Sequence, residues 1–531
     1  MRRTPVRKRK ESLIVFISSI TMLVVASGLI AQETKAREIS LNLEEAIFRA
    51  LKENLNLIAE VYSTERASEN ISLARELFLP TLEFNYGSDR NEQPSTWWLQ
   101  ASGTYITKMQ SFQSTISQRI PIGGTLSVTL ANYTTDTNQL FQLYNPYYNS
   151  QLRFSFVQPL LKNFGPKVAR KEIIIARQNY AISEAQLKSQ VLETIYQVEE
   201  AYWNLVLARE NLKVKQQSLD LAKGQLAKTR KEIEVGQQAA IEVLNVQTAV
   251  AQREAEIVQA EAQVRSAEDR LKVILNLATG ADLQAVTINP AEKPEFKPVS
   301  VDLKQALEAA RLNRPDLQVN NMTIENRRFN YEVAKNQILP QLDLNVSYWS
   351  PGISGDRLLY QDDNPWTGII VGKIPGSTWD SFRDSMKFLY HNWSLNFTLT
   401  IPIADFISRS NLAVARTELA QAQAKQKALE QQAQLEVSEA VKNIETLAKS
   451  VEAFRVAREY AEKLLEAETK KLAVGLTTNY FVLEAQEKLA SARSAELKAL
   501  VDYKLALARL DKALGTSLDS RKIGLAEIGQ K

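Results

Sequence analysis

The chain of 531 residues is 44% hydrophobic and 24% charged, the balance of a globular protein and not of a polytopic helical membrane protein. Its 65 basic and 61 acidic residues leave a net charge of +4, with Arg2, Arg3, Arg7, Lys8, Arg9 and Lys10 crowded at the start and the remainder near neutral, which argues against a nucleic-acid partner. The lack of cysteine and the single histidine exclude disulfides, thiolate nucleophiles, a lipidated N-terminal Cys and clustered-His zinc sites.

In chain order, the basic cluster is followed by an uncharged apolar run from Leu13 to Ala31 and then by Gln32, Glu33 and Thr34. That layout predicts a secretory signal peptide over residues 1–31, with an N-terminal membrane anchor as the competing reading. No later window is apolar for long enough to cross a bilayer as a helix. An exported chain of this kind ends in the periplasm, outside the cell, or in the outer membrane as a β-barrel.

Residues 43–77 carry a helical stripe, with Leu43, Ala46, Ile47, Ala50 and Leu51 at i, i+3, i+4, i+7 and i+8. Leu79-Pro80 ends it, and the period becomes two: Leu82, Phe84 and Tyr86 alternate with Thr81, Glu83 and Asn85. A further hairpin, 102–134, reads STISQRIPIGGTLSVTL around Pro121, Gly123 and Gly124. Its place stays open between the barrel, a strand pair beyond the membrane, and the periplasmic rim. A return strand with Leu152, Phe154 and Phe156 closes at Pro159. Residues 168–233 then form one helix of about 100 Å at 1.5 Å per residue, free of proline and with Gly224 as its only interior breaker. It stops at Val235-Gly236, where glycine suits a C-cap, and a return helix follows over 241–275.

The pattern then starts again. VDLKQALEAARLNRPDL and AKNQILPQLDLNVS repeat LNLEEAIFRALKENLNL and ARELFLPTLEFNYG at one constant offset, setting Ala306 on Ala46, Leu317 on Leu57 and Pro340 on Pro80. Leu342, Leu344, Val346 and Tyr348 alternate as a strand. Residues 351–390, with Gly352, Gly355, Pro365, Gly372, Pro375 and Gly376, read as a long external loop. Trp393, Leu395, Phe397, Leu399 and Ile401 form the return strand before Pro402, 407–473 the second long helix, Val474-Gly475 its stop, and 478–514 the return helix. Two repeats are expected, 32–298 and 299–518, with a tail at 519–531. Each return helix, stacked on the helix that opens a repeat, matches the length of one long helix. Such a layer cannot bury its Ala-rich stripes alone, and two hairpins cannot close a barrel in lipid, so a ring of copies is required.

LP-x-L opening a strand, QPLL or IPIAD closing the return strand, and VG before a helix, in duplicated order, resemble the TolC-like outer-membrane efflux family over essentially the whole mature chain. The resemblance implies a mainly α fold with membrane β: a long antiparallel helical barrel and a trimeric transmembrane β-barrel of twelve strands, four per protomer, the extra hairpin aside. It implies a homotrimer in outer-membrane lipid with helices reaching into the periplasm. The expected role is the passive exit duct of a tripartite pump or type I secretion system, with a periplasmic adaptor and an inner-membrane pump as partners and no cofactor or metal. The family's aperture acid maps to Glu242 in VGQQAAIEVL. The second half places Phe481 at that position, with Glu484 three residues on. Both acids read equally as helix-start carboxylates favoured by the dipole. The Val235-Gly236 and Val474-Gly475 turns are the expected tips and adaptor docking points.

Six tryptophans, Trp97, Trp98, Trp349, Trp366, Trp379 and Trp393, fall in the strand windows, as interface girdles would require, and Trp203 alone lies on a helix. A hydrolase is disfavoured, since no GxSxG accompanies the lone His391. A periplasmic coiled-coil adaptor or scaffold is the alternative that the helices allow. The amphipathic strands argue against it.

Overall fold

The computed structural model describes residues 37–95, 103–236, 238–277, 286–521 and 523–524. The signal-peptide expectation for 1–31, Trp97, Trp98 and most of the expected tail lie outside the described residues.

Strand β1 (Arg37–Leu41) leads into α1 (Leu43–Glu53), which a capping box starts: the Glu45 N–H donates to Asn42 Oδ1 at 2.7 Å and the Asn42 N–H to Glu45 Oε2 at 3.3 Å. Leu43, Ala46, Ile47, Ala50 and Leu51, the stripe read from the sequence, are its buried residues. Then come α2 (Leu55–Glu76), β2 (Thr81–Pro94), β3 (Thr104–Arg119), β4 (Thr125–Thr137), β5 (Tyr144–Pro159), a turn of helix α3 (Pro166–Ala169), the long α4 (Lys171–Glu234), the return helix α5 (Glu242–Ile274) and β6 (Val286–Pro290). The second half runs α6 (Leu303–Asn313), α7 (Pro315–Gln337), β7 (Gln341–Tyr360), β8 (Ile370–Ile374), α8 (Thr378–Met386), β9 (Asn392–Thr400), the long α9 (Phe406–Ala473), α10 (Asn479–Leu514) and α11 (Ser517–Ser520). Among the described residues no helix is long and apolar enough to cross a membrane.

In cross-section the helices form one layer four wide: α2, α4, α7 and α9 near the strands, and α5, α4, α10 and α9 farther away. Each return helix stacks end to end on the helix that starts a half. At one junction Asn54 donates from Nδ2 to the Ile274 carbonyl at 3.0 Å, and at the other Arg314 donates to the Ala513 carbonyl at 3.4 Å. The layer closes at mid-height around two cores. One gathers Leu57, Ile195, Tyr202, Trp203, Leu271, Leu275 and Ile288, and the other Ala306, Ala310, Val437, Ile444, Ala499, Tyr503 and Ala506. Trp203, expected from the sequence to be the one helical tryptophan, is a core residue edge-on to Tyr202 at 5.5 Å, and Trp379 also proves to be helical, on α8. Beside the cores β1 pairs in parallel with β6, and a strap leads from β6 to the second half. The Glu292 N–H donates to the Tyr202 hydroxyl at 3.3 Å and the Val299 N–H to the Tyr503 hydroxyl at 3.1 Å. Those hydroxyls donate onward to the Leu41 carbonyl at 3.2 Å and the Lys297 carbonyl at 2.9 Å. Burial pushes the Tyr202 hydroxyl up to about 12, so it stays a neutral hydrogen-bonding group.

The seven strands beyond β6 and β1 form one antiparallel sheet in the order β2-β3-β4-β5-β7, with β9 and β8 on the free side of β7. The hairpin whose place the sequence left open is β3–β4, and it stands inside this sheet between β2 and β5. Its turn at Pro121–Gly124 lies at the helical end, where the Gly165 N–H donates to the Ile122 carbonyl at 3.2 Å and Gly123 adopts φ +101° against the Asn163 carbonyl. The segment 351–390 is more ordered than a loop: β7 extends through it to Tyr360, and β8 and α8 follow. Glycine and proline mislead there because Gly352 serves a close packing contact. A Cβ on it would collide with the Ser381 carbonyl, so α8 can lie on the sheet with Ser381 Oγ 2.7 Å from Ser150 Oγ.

Candidate functional site: the sheet face and the hairpin tips

Register places the side chains of the sheet in continuous rows. Leu82 pairs with Ile116, Ile116 with Val128, Val128 with Phe154, Phe154 with Tyr348 and Tyr348 with Trp393, so six strands contribute one apolar residue each to a single row. Phe84, Tyr86, Phe112, Leu126, Leu130, Leu152, Phe156, Val346, Leu395 and Phe397 extend that face. Leu82, Phe84, Ile116, Trp393 and Phe397 remain exposed, from 51% for Ile116 to 74% for Trp393. The opposite face carries a hydroxyl ladder: Thr81 on Ser117 at 2.9 Å, Thr115 on Thr129 at 3.1 Å and Ser347 on Ser155 at 3.2 Å. A sheet with one exposed apolar face and one polar face suits a boundary between lipid and an aqueous lumen. Helix α8 and Phe388 sit on the apolar side, Phe388 stacking on Tyr348 at 6.0 Å and on Phe154 at 6.3 Å. The single histidine, His391, lies there too, with Nδ1 2.6 Å from the Tyr348 hydroxyl.

Pro80, Pro159, Pro340 and Pro402 stand where strands meet the helical region. Pro80 and Pro340 immediately precede β2 and β7, Pro159 ends β5, and Pro402 follows β9. Proline fits these places because it cannot continue a helix and limits the preceding residue to extended backbone.

At the other end of the helices lie the two hairpin tips. Val235 caps α4 and Gly236 follows at φ +77°, while Val474 caps α9 and Gly475 follows at φ +75°. Both glycines occupy the left-handed region that ends a helix. At the second tip the Leu476 N–H donates to the Lys471 carbonyl at 2.9 Å, the long bond of a Schellman motif.

The three aperture residues named from the sequence fall just inside these turns. Glu242 is the first residue of α5, half-buried, and its Oε2 is buried without a protein hydrogen-bond partner. Phe481 is 49% exposed on the first turn of α10 and lies edge-on to Tyr480 at 5.4 Å. Glu484, one turn on, is ion-paired with Lys488 at 2.8 Å. The two acids therefore differ, the charge of Glu484 being partly offset within its own helix.

Sequence reasoning missed the residues that join the tips. Asn479, buried at the start of α10, accepts from Gln225 Nε2 at 2.6 Å and donates to Gln238 Oε1 at 2.6 Å, so one hairpin grips the other. Higher up, Arg253 of α5 is buried between hairpins and donates to the Ser218 carbonyl at 2.8 Å, Gln486 Oε1 at 2.9 Å and the Leu483 carbonyl at 3.3 Å. Burial lowers its pKa from the usual arginine value, the nearby Glu256 and Glu487 opposing that effect. An arginine in an Ala-, Gln- and Glu-rich helix gives no sequence signal of burial. The only cue was its phase relative to Val246 and Ala260, which are also buried on α5.

No curated protein matches the sequence. Solved structures share the fold. The open state of the MtrE outer membrane channel of Neisseria gonorrhoeae matches with TM-score 0.60 at 19% identity, over 90% of this chain and 89% of that one. The Campylobacter jejuni CmeC outer membrane channel matches with TM-score 0.62 at 15% identity, over 91% and 90%. The Vibrio cholerae outer membrane protein VceC matches with TM-score 0.62 at 16% identity, over 89% and 96%. The sequence profile described as Outer membrane efflux protein matches residues 125–277 and 306–516, more than half of the chain, and the fold agrees with it throughout. The chain belongs to the outer membrane efflux protein family.

Proposed function

We propose that three copies of this chain assemble into the passive exit duct of a tripartite efflux pump or type I secretion system. As a member of its family the chain is an outer-membrane efflux channel whose helices extend into the periplasm. The observation that carries the finer reading is the apolar row from Leu82 to Trp393, bounded by strands β2 and β9 whose outer edges have no partner strand among the described residues. Open edges are not tolerated in lipid, so β9 of one copy must meet β2 of the next. These two strands run in opposite directions, as an antiparallel seam requires.

The halves 32–298 and 299–518 act in this reading as two copies of one unit, each supplying strands, a long helix and a tip. The tips lie about 100 Å from the strands and offer Gly236 and Gly475 to an adaptor's helical hairpin. Glu242, Phe481 and Glu484, repeated around the axis, form the mouth. In this reading the duct is a passive conduit, and its cargo is set by the pump that feeds it.

The test is the mass of the detergent-extracted complex together with its conductance in planar bilayers. A three-copy particle forming ion-conducting pores is expected. A soluble particle extracted without detergent would restore the adaptor or scaffold reading.

A further inference from the structure

We infer that α8 is a membrane-interface helix: it lies outside the barrel wall and beds its Trp379, Phe382 and Met386 face among the acyl chains of the outer leaflet. This rests on the outer-membrane barrel proposed above, in which the apolar face of the sheet meets lipid. α8 is seated on that face and not on the hydroxyl ladder. Ser381 Oγ lies 2.7 Å from Ser150 Oγ, and Ser150 projects to the same side of β5 as Leu152 and Phe154 of the apolar face. Ser381 and Ser385 are fully buried against the sheet, and a Cβ on Gly352 would collide with the backbone of both. The helix therefore rests directly on the outer surface of the wall.

Its height follows from the strand beneath it. Gly352 stands ten residues along β7 from Leu342, the first apolar residue of this face at the helical end. At about 2.5 Å per residue along the membrane normal, for a strand tilted about 40°, that is about 25 Å. The apolar band of an outer-membrane barrel is about as tall, so α8 crosses the wall at the outer boundary of the band. The side chains mark the same boundary. Leu130 and Leu152 give way, one step farther from the helices, to Asn132 and Ser150, where Asn132 donates from Nδ2 to Ser150 Oγ at 2.8 Å.

The helix has three faces. Ser381 and Ser385 meet the sheet. Trp379, Phe382 and Met386, at i, i+3 and i+7, form an apolar face on which Trp379 stacks on Phe382 at 5.3 Å, and Trp379 and Met386 remain 67% and 49% exposed. Asp380, Arg383, Asp384 and Lys387 form the third, with Arg383 paired to Asp380 at 3.0 Å and Lys387 to Asp384 at 3.1 Å. Apolar and charged flanks on one short helix, with tryptophan on the apolar one, suit the boundary between hydrocarbon and water. The exposed Leu389 and Tyr390 continue the apolar flank to Trp393 of β9, so lipid that covers the sheet covers the helix as well. The charged flank neutralises itself within the helix. What α8 offers a lipid is thus apolar contact with its acyl chains and not charge for its phosphate.

The chain has no cysteine, so single engineered cysteines report cleanly. Met386→Cys on α8 is compared with Phe397→Cys in the apolar band of β9 and Gln361→Cys at the exposed far end of β7. Each full-length variant is spin-labelled and reconstituted in phosphatidylcholine vesicles. Collisions of the label with oxygen, which concentrates in hydrocarbon, are measured against collisions with a water-soluble nickel chelate. The oxygen-to-chelate ratio at Met386 is expected to be several-fold above that at Gln361 and no higher than that at Phe397. A ratio at Met386 equal to that at Gln361 would put the helix in water, and shielding from both reagents would put it under protein. Either result overturns the inference and leaves the barrel standing. A chelate-rich Phe397 would overturn the barrel reading, and the inference with it.

Discussion

Asn54 and Arg314 are separated by the same offset that sets Ala46 on Ala306, and they hold equivalent junctions with different chemistry. Asn54 caps α2, accepting the Asn56 and Leu57 N–H groups at 3.0 and 3.1 Å, and donates to the Ile274 carbonyl at the end of α5. Arg314 precedes Pro315, whose nitrogen needs no cap, and instead reaches the Ala513 carbonyl at the end of α10 while pairing with Asp316 at 2.8 Å and Glu436 at 2.7 Å. Asn54→Ala should cost about 1 to 2 kcal/mol, the usual loss for a cap. Arg314→Ala should cost more, because it strands two carboxylates beside a helix end. Urea unfolding of the two variants gives the order, and equal losses would refute this account.

The Arg314 site also sets a pH dependence. Burial alone would raise the Asp316 carboxyl, but the hydrogen bonds and charge of Arg314 outweigh it and hold the group below the ordinary aspartate value of 3.8. A carboxyl depressed in the folded state contributes stability that is fully present above its unfolded pKa and is lost as pH falls through the folded one. The wild type should therefore lose stability below about pH 4 more steeply than Asp316→Asn. Parallel slopes in acid melts would remove Asp316 from the explanation.

The opposite sign is expected where α11 docks on α4. Burial raises the Glu199 carboxyl, against the pull of Arg521 at 2.6 Å, and burial raises Asp511 as well. A carboxyl raised in the folded state contributes stability at low pH that is lost as pH rises through its folded value. Glu199→Gln should flatten the loss of stability as pH rises above the ordinary glutamate range of about 4. Hydrogen exchange of the α11 amides over that rise would show it, and an unchanged profile would count against Glu199.

At the mouth, Glu242 and Glu484 should not contribute equally. Glu484 faces Lys488, and among the described residues Glu242 Oε2 has no hydrogen-bond partner. Glu242→Gln is expected to reduce cation preference in bilayer recordings more than Glu484→Gln does, and Lys488→Gln to increase it by uncovering Glu484. Phe481→Ala should raise conductance by widening or wetting the same passage. If all four leave conductance and selectivity unchanged, the mouth lies elsewhere.

Arg253 and Asn479 are expected to hold the tips closed. Arg253→Ala leaves the Ser218 and Leu483 carbonyls and Gln486 without their donor, a penalty of about 1 to 3 kcal/mol for buried groups. Bilayer conductance should rise in Arg253→Ala and rise further with Asn479→Ala. Wild-type conductance in the double variant would show that these bonds only stabilise the fold.

Much of this architecture was legible because its signals are periodic. Leu43 to Leu51, the strand alternation after Pro80 and Pro340, and the glycines after Val235 and Val474 each repeat a local rule, and the duplication showed each rule twice. The β3–β4 hairpin could be seen but not placed, since strand order depends on pairing between segments and not on the pattern within one. Gly352 read as loop because its role, admitting α8 to the sheet, exists only once Ser381 is beside it. Arg253 and Asn479 were missed for a related reason: their partners come from other helices, and the one cue, the phase of Arg253 with Val246 and Ala260, says nothing of those partners. For the proposed mouth the sequence offers positions by resemblance alone, and the structure adds that Lys488 pairs with one of the two acids, Glu484.

The strap between the halves is gripped near both ends, by Tyr202 at Glu292 and by Tyr503 at Val299. A belt fastened at two points on neighbouring helices fixes their spacing at that height as a hoop fixes the staves of a cask. Spreading of the tips must then be taken up as bending of α4, α5, α9 and α10 below the belt, while the strands above it are left in register. In the trimer proposed above, opening at the tips would therefore leave the seal in the membrane undisturbed.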